Sequence, residues 1–87
     1  MALYQILRNV GQISDDEIDA AGYRAIACMP AFSGMHWLRS YFDASSGRLV
    51  CFYEAANSDD IRRHAEMAHL PCDTVIEVLE YLPERYR

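Results

Sequence analysis

The chain has 87 residues, of which 52% are hydrophobic, and it carries a net charge of −5. This length and composition are typical of a small packed domain and exclude a disordered chain. All eight basic residues are arginines and thirteen acidic residues outnumber them, so a nucleic-acid partner is not expected, and no apolar run reaches the roughly 18–20 residues that span a membrane.

The first third of the chain predicts a strand followed by a helix. Residues 2–9 form a short extended run with apolar residues on both faces, which predicts a strand, and Gly11 ends it. A capping box follows, in which Ser14 can accept a hydrogen bond from the Glu17 amide and the Glu17 carboxylate can accept one from the Ser14 amide. Apolar residues then recur at helical spacing as far as Pro30, which predicts a helix.

A β-hairpin is predicted next. Residues 35–42 and 48–54 are rich in aromatic and β-branched side chains, and residues 43–47 between them have the composition of a tight turn. The two strands of such a hairpin lie side by side and antiparallel.

The last third predicts a second helix and a fourth strand. Asn57 or Ser58 can cap the helix, which ends before Pro71, and the β-branched run 73–80 is typical of a strand. The order β-α-β-β-α-β predicts an α+β, ferredoxin-like sandwich: a four-stranded antiparallel sheet with two helices on one face.

We expect one domain over residues 1–82, a polar tail over residues 83–87, and a cytoplasmic location. The N-terminus lacks the features of a signal peptide, so no membrane partner or export is expected. The cysteines are odd in number and widely spaced, which favours reduced thiols over disulfides; they are Cys28, Cys51 and Cys72.

Both faces of the predicted hairpin are apolar, although two helices can cover only one of them. A homodimer that packs sheet against sheet would cover the other face, either as the form that binds a metal or as a purely structural or regulatory dimer. A pair between Arg39 and Glu54 is expected within this interface, where it would fix the register or, alternatively, clamp a small carboxylate. The interface candidates are Trp37, Arg39, Tyr41, Phe52 and Glu54.

His64 is the main candidate for a functional residue. Together with Ile61, Ala65 and Ala68 it forms the apolar stripe of the second helix, where a titratable imidazole needs a partner or a role. Strand alternation is expected to place other polar side chains beneath it. These are His36, Ser40, Cys51 and Tyr53.

Three interpretations of this group remain open. It can be a hydrogen-bonded core network, or a small-ligand pocket of Ser40, Cys51, Tyr53 and His64 in which His64 acts as acid–base. It can also be a metal site with His36 and His64 as ligands, since imidazole suits transition ions such as nickel or zinc. The sequence contains no Ser-His-Asp order, phosphate-binding loop or paired catalytic carboxylates, so catalytic residues and enzymatic activity stay undefined.

The small residues of the first helix also have two possible interpretations. Ala21, Gly22 and Ala25 share one face of the first helix. They favour close packing against bulky strand residues, or they line a cavity.

Four segments resemble a family of short bacterial proteins of unknown function, some of which are described as nickel-binding. They are Trp37-Leu-Arg-Ser-Tyr41, Cys51-Phe-Tyr-Glu-Ala55, Arg62-Arg-His-Ala65 and Ala68-His-Leu-Pro71. The resemblance covers residues 36–78 well and the first 30 residues loosely.

The resemblance implies a ferredoxin-like fold, a dimer, and nickel as the metal to test first. The positions that match the family pattern are Trp37, Arg39, Ser40, Tyr41, Cys51, Tyr53, Glu54, His64 and Pro71. The chain departs from the pattern at His69, where the family usually has glycine. A left-handed helix cap at this position would be energetically less favourable for histidine than for glycine.

Overall fold

A computed structural model describes residues 1–87 and has the predicted order of strands and helices. The elements are β1 (Ala2–Asn9), α1 (Asp15–Cys28), β2 (His36–Asp43), β3 (Arg48–Ala55), α2 (Ser58–Met67) and β4 (Thr74–Val78). All strand pairs are antiparallel and their order is β2-β3-β1-β4. The predicted α+β, ferredoxin-like fold is therefore confirmed. None of the helices combines the length and apolarity required to cross a membrane.

Both α-helices begin at the predicted caps. The Ser14 hydroxyl accepts from the Glu17 amide at 3.2 Å, and the Glu17 carboxylate accepts from the Ser14 amide at 3.2 Å. In α2 the side-chain oxygen of Asn57 accepts from the amide of Asp60 at 2.8 Å. These bonds satisfy N–H groups that have no partner within the helix.

The end of α2 is a left-handed cap at His69, whose φ is 56°. The Leu70 amide donates to the carbonyl of Ala65 at 2.8 Å, and the His69 amide donates to that of Glu66 at 3.3 Å. This is the Schellman arrangement, for which glycine is the preferred residue. It ends the helix at Met67, three residues earlier than Pro71 alone would require.

The fourth strand is shorter than predicted. Val78 pairs with Leu3, near the beginning of β1, so residues beyond Val78 have no partner strand. Residues 79–87 leave the sheet as a C-terminal arm and are all exposed. Its apolar side chains include Leu79, Tyr81, Leu82 and Tyr86.

A β-bulge at Leu38 changes which side chains of β2 face the helices. The hairpin loop has four residues, because Asp43 pairs with Arg48, but the pairing slips between Trp37, opposite Tyr53, and Arg39, opposite Phe52. The extra residue reverses the alternation that precedes it. The predicted faces of His36 and Trp37 are therefore wrong.

The sheet thus has a helix-covered face, which includes Ile6, Cys51 and Tyr53, and an open face, which includes Leu3, Val50 and Phe52. The hydrophobic core lies on the helix-covered face. Its members are Tyr4, Ile6, Phe32, Met35, Cys51, Tyr53, Ala55 and Ile61. Only Ala25 of α1 is buried, whereas α2 buries Ile61, His64 and Ala65. The first helix therefore rests less closely on the sheet than the second.

Candidate functional site

A cavity of about 250 Å³ lies between α1 and the sheet. Its roof is the small-residue face of α1, which includes Ala21, Gly22 and Ala25. A Cβ atom at Gly22 would be 3.6 Å from the Trp37 ring, which is ordinary van der Waals contact, so Trp37 does not require glycine at this position. The structure therefore favours the interpretation of these residues as a cavity lining, because all three border the empty space.

Arg8 lies in the wall of this cavity and is only 1% exposed. It is on the helix-covered side of β1, in alternation with Tyr4 and Ile6. One guanidinium nitrogen, Nη1, donates to the Pro71 carbonyl at 2.7 Å, whereas Nη2 is buried without a partner. No carboxylate forms an ion pair with Arg8. The cavity wall therefore carries an uncompensated positive charge.

Tyr53 is a second polar residue of the cavity wall. It is 1% exposed, and its ring lies 5.7 Å from the Arg8 guanidinium carbon. Burial raises the pKa of Tyr53 to about 12, an effect that the charge of Arg8 only partly opposes. The phenol is therefore protonated at neutral pH and can donate a hydrogen bond.

Trp37 and Ser40 are further polar members of the wall. The Trp37 ring stacks on Tyr53 with centroids 6.3 Å apart, and its indole N–H donates to the Ser40 hydroxyl at 2.9 Å. The Ser40 oxygen already accepts a hydrogen bond, so its own proton is free to be donated. The structure brings Ser40, Cys51 and Tyr53 together as the sequence predicts. Trp37 lies beside them in the cavity wall, although it was predicted to lie on the open face.

His64 lies beside this cavity but does not line it. It is fully buried, and its Nε2 is 2.9 Å from the carbonyl oxygen of Ala25. A carbonyl can only accept, so Nε2 carries the proton and Nδ1, which is buried without a partner, has the lone pair. Desolvation lowers the pKa of His64, the bond to Ala25 opposes that shift, and the charge of Arg8 adds to it.

Aromatic rings hold the His64 imidazole in place. Phe32 meets it edge-on at 5.8 Å, and Tyr53 lies 5.6 Å away at an oblique angle. The neutral ring thus links α2 to α1 across the core. This arrangement agrees with the interpretation of His64 as part of a hydrogen-bonded core network.

The two predicted metal ligands do not meet within one chain. His36 is exposed on the open face, opposite Glu54, whereas His64 is buried on the helix-covered face. No group of three or more His, Cys, Asp or Glu side chains in this chain is arranged to hold a metal ion. A nickel site of one chain made from His36 and His64 does not fit this arrangement.

The predicted pair between Arg39 and Glu54 is also absent. Arg39 instead forms an ion pair with Glu80 of the C-terminal arm at 3.2 Å, and its guanidinium carbon is 5.0 Å from the centre of the Phe52 ring. Tyr41 packs edge-on against Phe52, with centroids 6.3 Å apart. Since Arg39 is on β2 and β4 is the other edge of the sheet, the arm must turn back over the open face.

The sequence analysis missed Arg8. The signal was available, because Tyr4, Ile6 and Arg8 alternate along β1 and so share a face. A charged residue at the end of an apolar alternation is usually solvated, and nothing local indicated that Pro71 would close over it.

The comparisons with known proteins are consistent with this architecture. A family model described as "Nickel responsive protein SCO4226-like" matches residues 4–78. A solved structure, the crystal structure of SCO4226 from Streptomyces coelicolor A3(2), is similar with a TM-score of 0.83 and 22% sequence identity. The similarity covers 93% of this chain and 100% of that one, and it concerns the fold. No curated protein matches the chain.

Proposed function

This chain belongs to the SCO4226-like family of nickel responsive proteins, and on that premise we propose that it binds nickel as a cytoplasmic homodimer. Two copies would complete a metal site that one chain supplies only in half. The observation that carries the proposal is the pairing of His36 with Glu54 on the open face.

His36 and Glu54 are directly opposite each other on neighbouring strands. The Cβ atoms of such cross-strand pairs lie about 4.5–5.5 Å apart, so an imidazole and a carboxylate can reach the same ion. Nickel accepts nitrogen and oxygen donors in tetragonal arrangements. One chain offers two such donors, and a two-fold symmetric contact would bring four together.

The open face has the character of a dimer interface. Leu3, Val50 and Phe52 lie on it and are only half-buried, although the arm turns back over the sheet. The arm itself exposes four large apolar side chains, and Leu79 and Tyr86 are more than 70% exposed. A second copy of the chain would cover both surfaces, and in a symmetric contact each arm can lie against the partner. The unpaired cysteines support a reducing compartment.

The test is nickel titration by calorimetry together with sedimentation of the same samples. We expect one nickel per two chains and a more stable dimer when nickel is present, because the ion would bind only where two copies meet. The variants H36A and E54Q should each lose at least about tenfold in affinity, since each removes two of four donors.

H69N is the matched control, because it removes another exposed histidine and asparagine tolerates the left-handed conformation at this position. Its nickel affinity should equal that of the unaltered chain. A stoichiometry of one nickel per chain, or undiminished binding by H36A, would contradict the proposal.

A further inference from the structure

We propose that the cavity between α1 and the sheet binds a small organic monoanion, a carboxylate with a compact apolar body, through Arg8. This site is on the opposite side of the sheet from the proposed nickel site. It uses none of the same residues.

The charge of the cavity wall determines the sign of the ligand. Arg8 and Arg24 both line the cavity, and none of the lining residues is Asp or Glu, although the chain as a whole has a charge of −5. The Arg8 guanidinium stays charged in a protein and is costly to bury without a counterion. A carboxylate in the cavity beside Arg8 would supply that counterion.

The neutral polar groups also favour an anion. The protonated Tyr53 phenol and the Ser40 hydroxyl, whose oxygen is already bonded to Trp37, are both donors in the cavity wall. A carboxylate only accepts and has about four lone-pair sites for such donors. A cationic ligand would meet the positive charges of Arg8 and Arg24 and no carboxylate.

The size and the apolar walls of the cavity indicate the size and polarity of the part of the ligand that carries the carboxylate. Ten of its sixteen lining residues are hydrophobic, so an inorganic ion would leave most of the apolar surface without contacts. A cavity of about 150 Å³ is enough for benzene. The volume of about 250 Å³ here suits a ring or short branched chain that carries one carboxylate.

Trp37 provides a direct readout, since it is the sole tryptophan of the chain and lies in the cavity wall. Benzoate, its neutral analogue benzamide, and acetate would be titrated while tryptophan fluorescence is followed, with calorimetry as a second measurement. Benzoate should bind saturably and at least about tenfold more tightly than benzamide, the factor expected from one hydrogen bond between charged groups. Acetate should bind more weakly than benzoate because it leaves the apolar walls empty.

Two variants that each lose one arginine have the same net charge, so comparing them separates the contribution of Arg8 from that of the overall charge of the protein. R8M should reduce benzoate affinity to that of benzamide, whereas R62M, which changes an exposed arginine of α2, should leave it unchanged. A21F should block both ligands by filling the cavity while Arg8 is retained.

The ratio of benzoate to benzamide affinity on the unaltered chain decides the question even if R8M fails to fold. Equal affinities for these two ligands, no saturable response to benzoate, or equal loss in R62M and R8M would each overturn the proposal. Binding of acetate as tight as that of benzoate would overturn the assignment of an apolar body.

Discussion

Replacement of His69 by glycine should stabilise the protein. His69 has a φ of 56°, in the left-handed region that L-residues with a Cβ atom occupy at a cost. The conformation is imposed by the backbone bonds that end α2, and Arg24 additionally donates to the carbonyls of Ala68 at 2.8 Å and His69 at 3.5 Å. All of these bonds involve main-chain atoms of the cap, so they persist when the side chain is removed.

The expected gain is a difference between two effects. The left-handed conformation costs a residue with a Cβ atom about 1–2 kcal/mol, whereas glycine loses about 0.5–1 kcal/mol more backbone entropy on folding. The free energy of unfolding of H69G should therefore rise by about 0.5–1 kcal/mol. In a domain of this size that corresponds to an increase in Tm of roughly 2–8 °C.

Thermal and urea unfolding followed by circular dichroism would measure the change. E66G is the matched control, because it places glycine at an exposed position within α2 and should lower stability by about 1 kcal/mol. An H69G variant that folds normally but has an unchanged or lower Tm would refute the reasoning from strain.

Three further outcomes are expected. Urea unfolding of the unaltered chain should show that the free energy of unfolding decreases as pH falls below 6.5, because the pKa of folded His64 is lowered and the unfolded state then binds more protons. The H64Q variant, whose amide can still donate to the Ala25 carbonyl, should show a shallower decrease, and equal slopes in the two proteins would contradict this reasoning. G47A should lose about 2–5 kcal/mol in the same assay, since φ is 72° and the new Cβ would lie 2.6 Å from a backbone atom; a loss below 1 kcal/mol would argue against that clash. R24M should lose about 1–2 kcal/mol with the bond to Ala68, and an unchanged Tm would show that this bond is not stabilising.

The fold was predictable because several local signals agree. The capping box at Ser14, the cap at Asn57 and the period-two strands each specify an element, and their order leaves few topologies. The structure has both caps and the expected order.

The faces of β2 were not predictable in the same way. The bulge residue is Leu38, between Trp37 and Arg39, and none of the three has the composition of a bulge or turn. One inserted residue exchanges the faces of every side chain before it. The prediction for Ser40, which follows the bulge, was therefore right, whereas the predictions for His36 and Trp37 were wrong.

Contacts between residues that are far apart in the sequence explain the remaining differences between the predictions and the structure. The partner of Arg8 is the carbonyl of Pro71, 63 residues later, and the partner of Arg39 is Glu80, 41 residues later. No local pattern links such pairs. Arg8 was overlooked for this reason, and Arg39 was assigned to Glu54, which is nearer in the hairpin.

Crystals of the chain grown with nickel, with diffraction recorded at the nickel absorption edge, would test the proposed metal site most directly. The expected result is an anomalous peak on a two-fold axis between two open faces, bounded by His36 and Glu54 of both copies. A peak beside the buried His64, a peak beside His69 alone, or no peak at an interface of two chains would contradict the assignment.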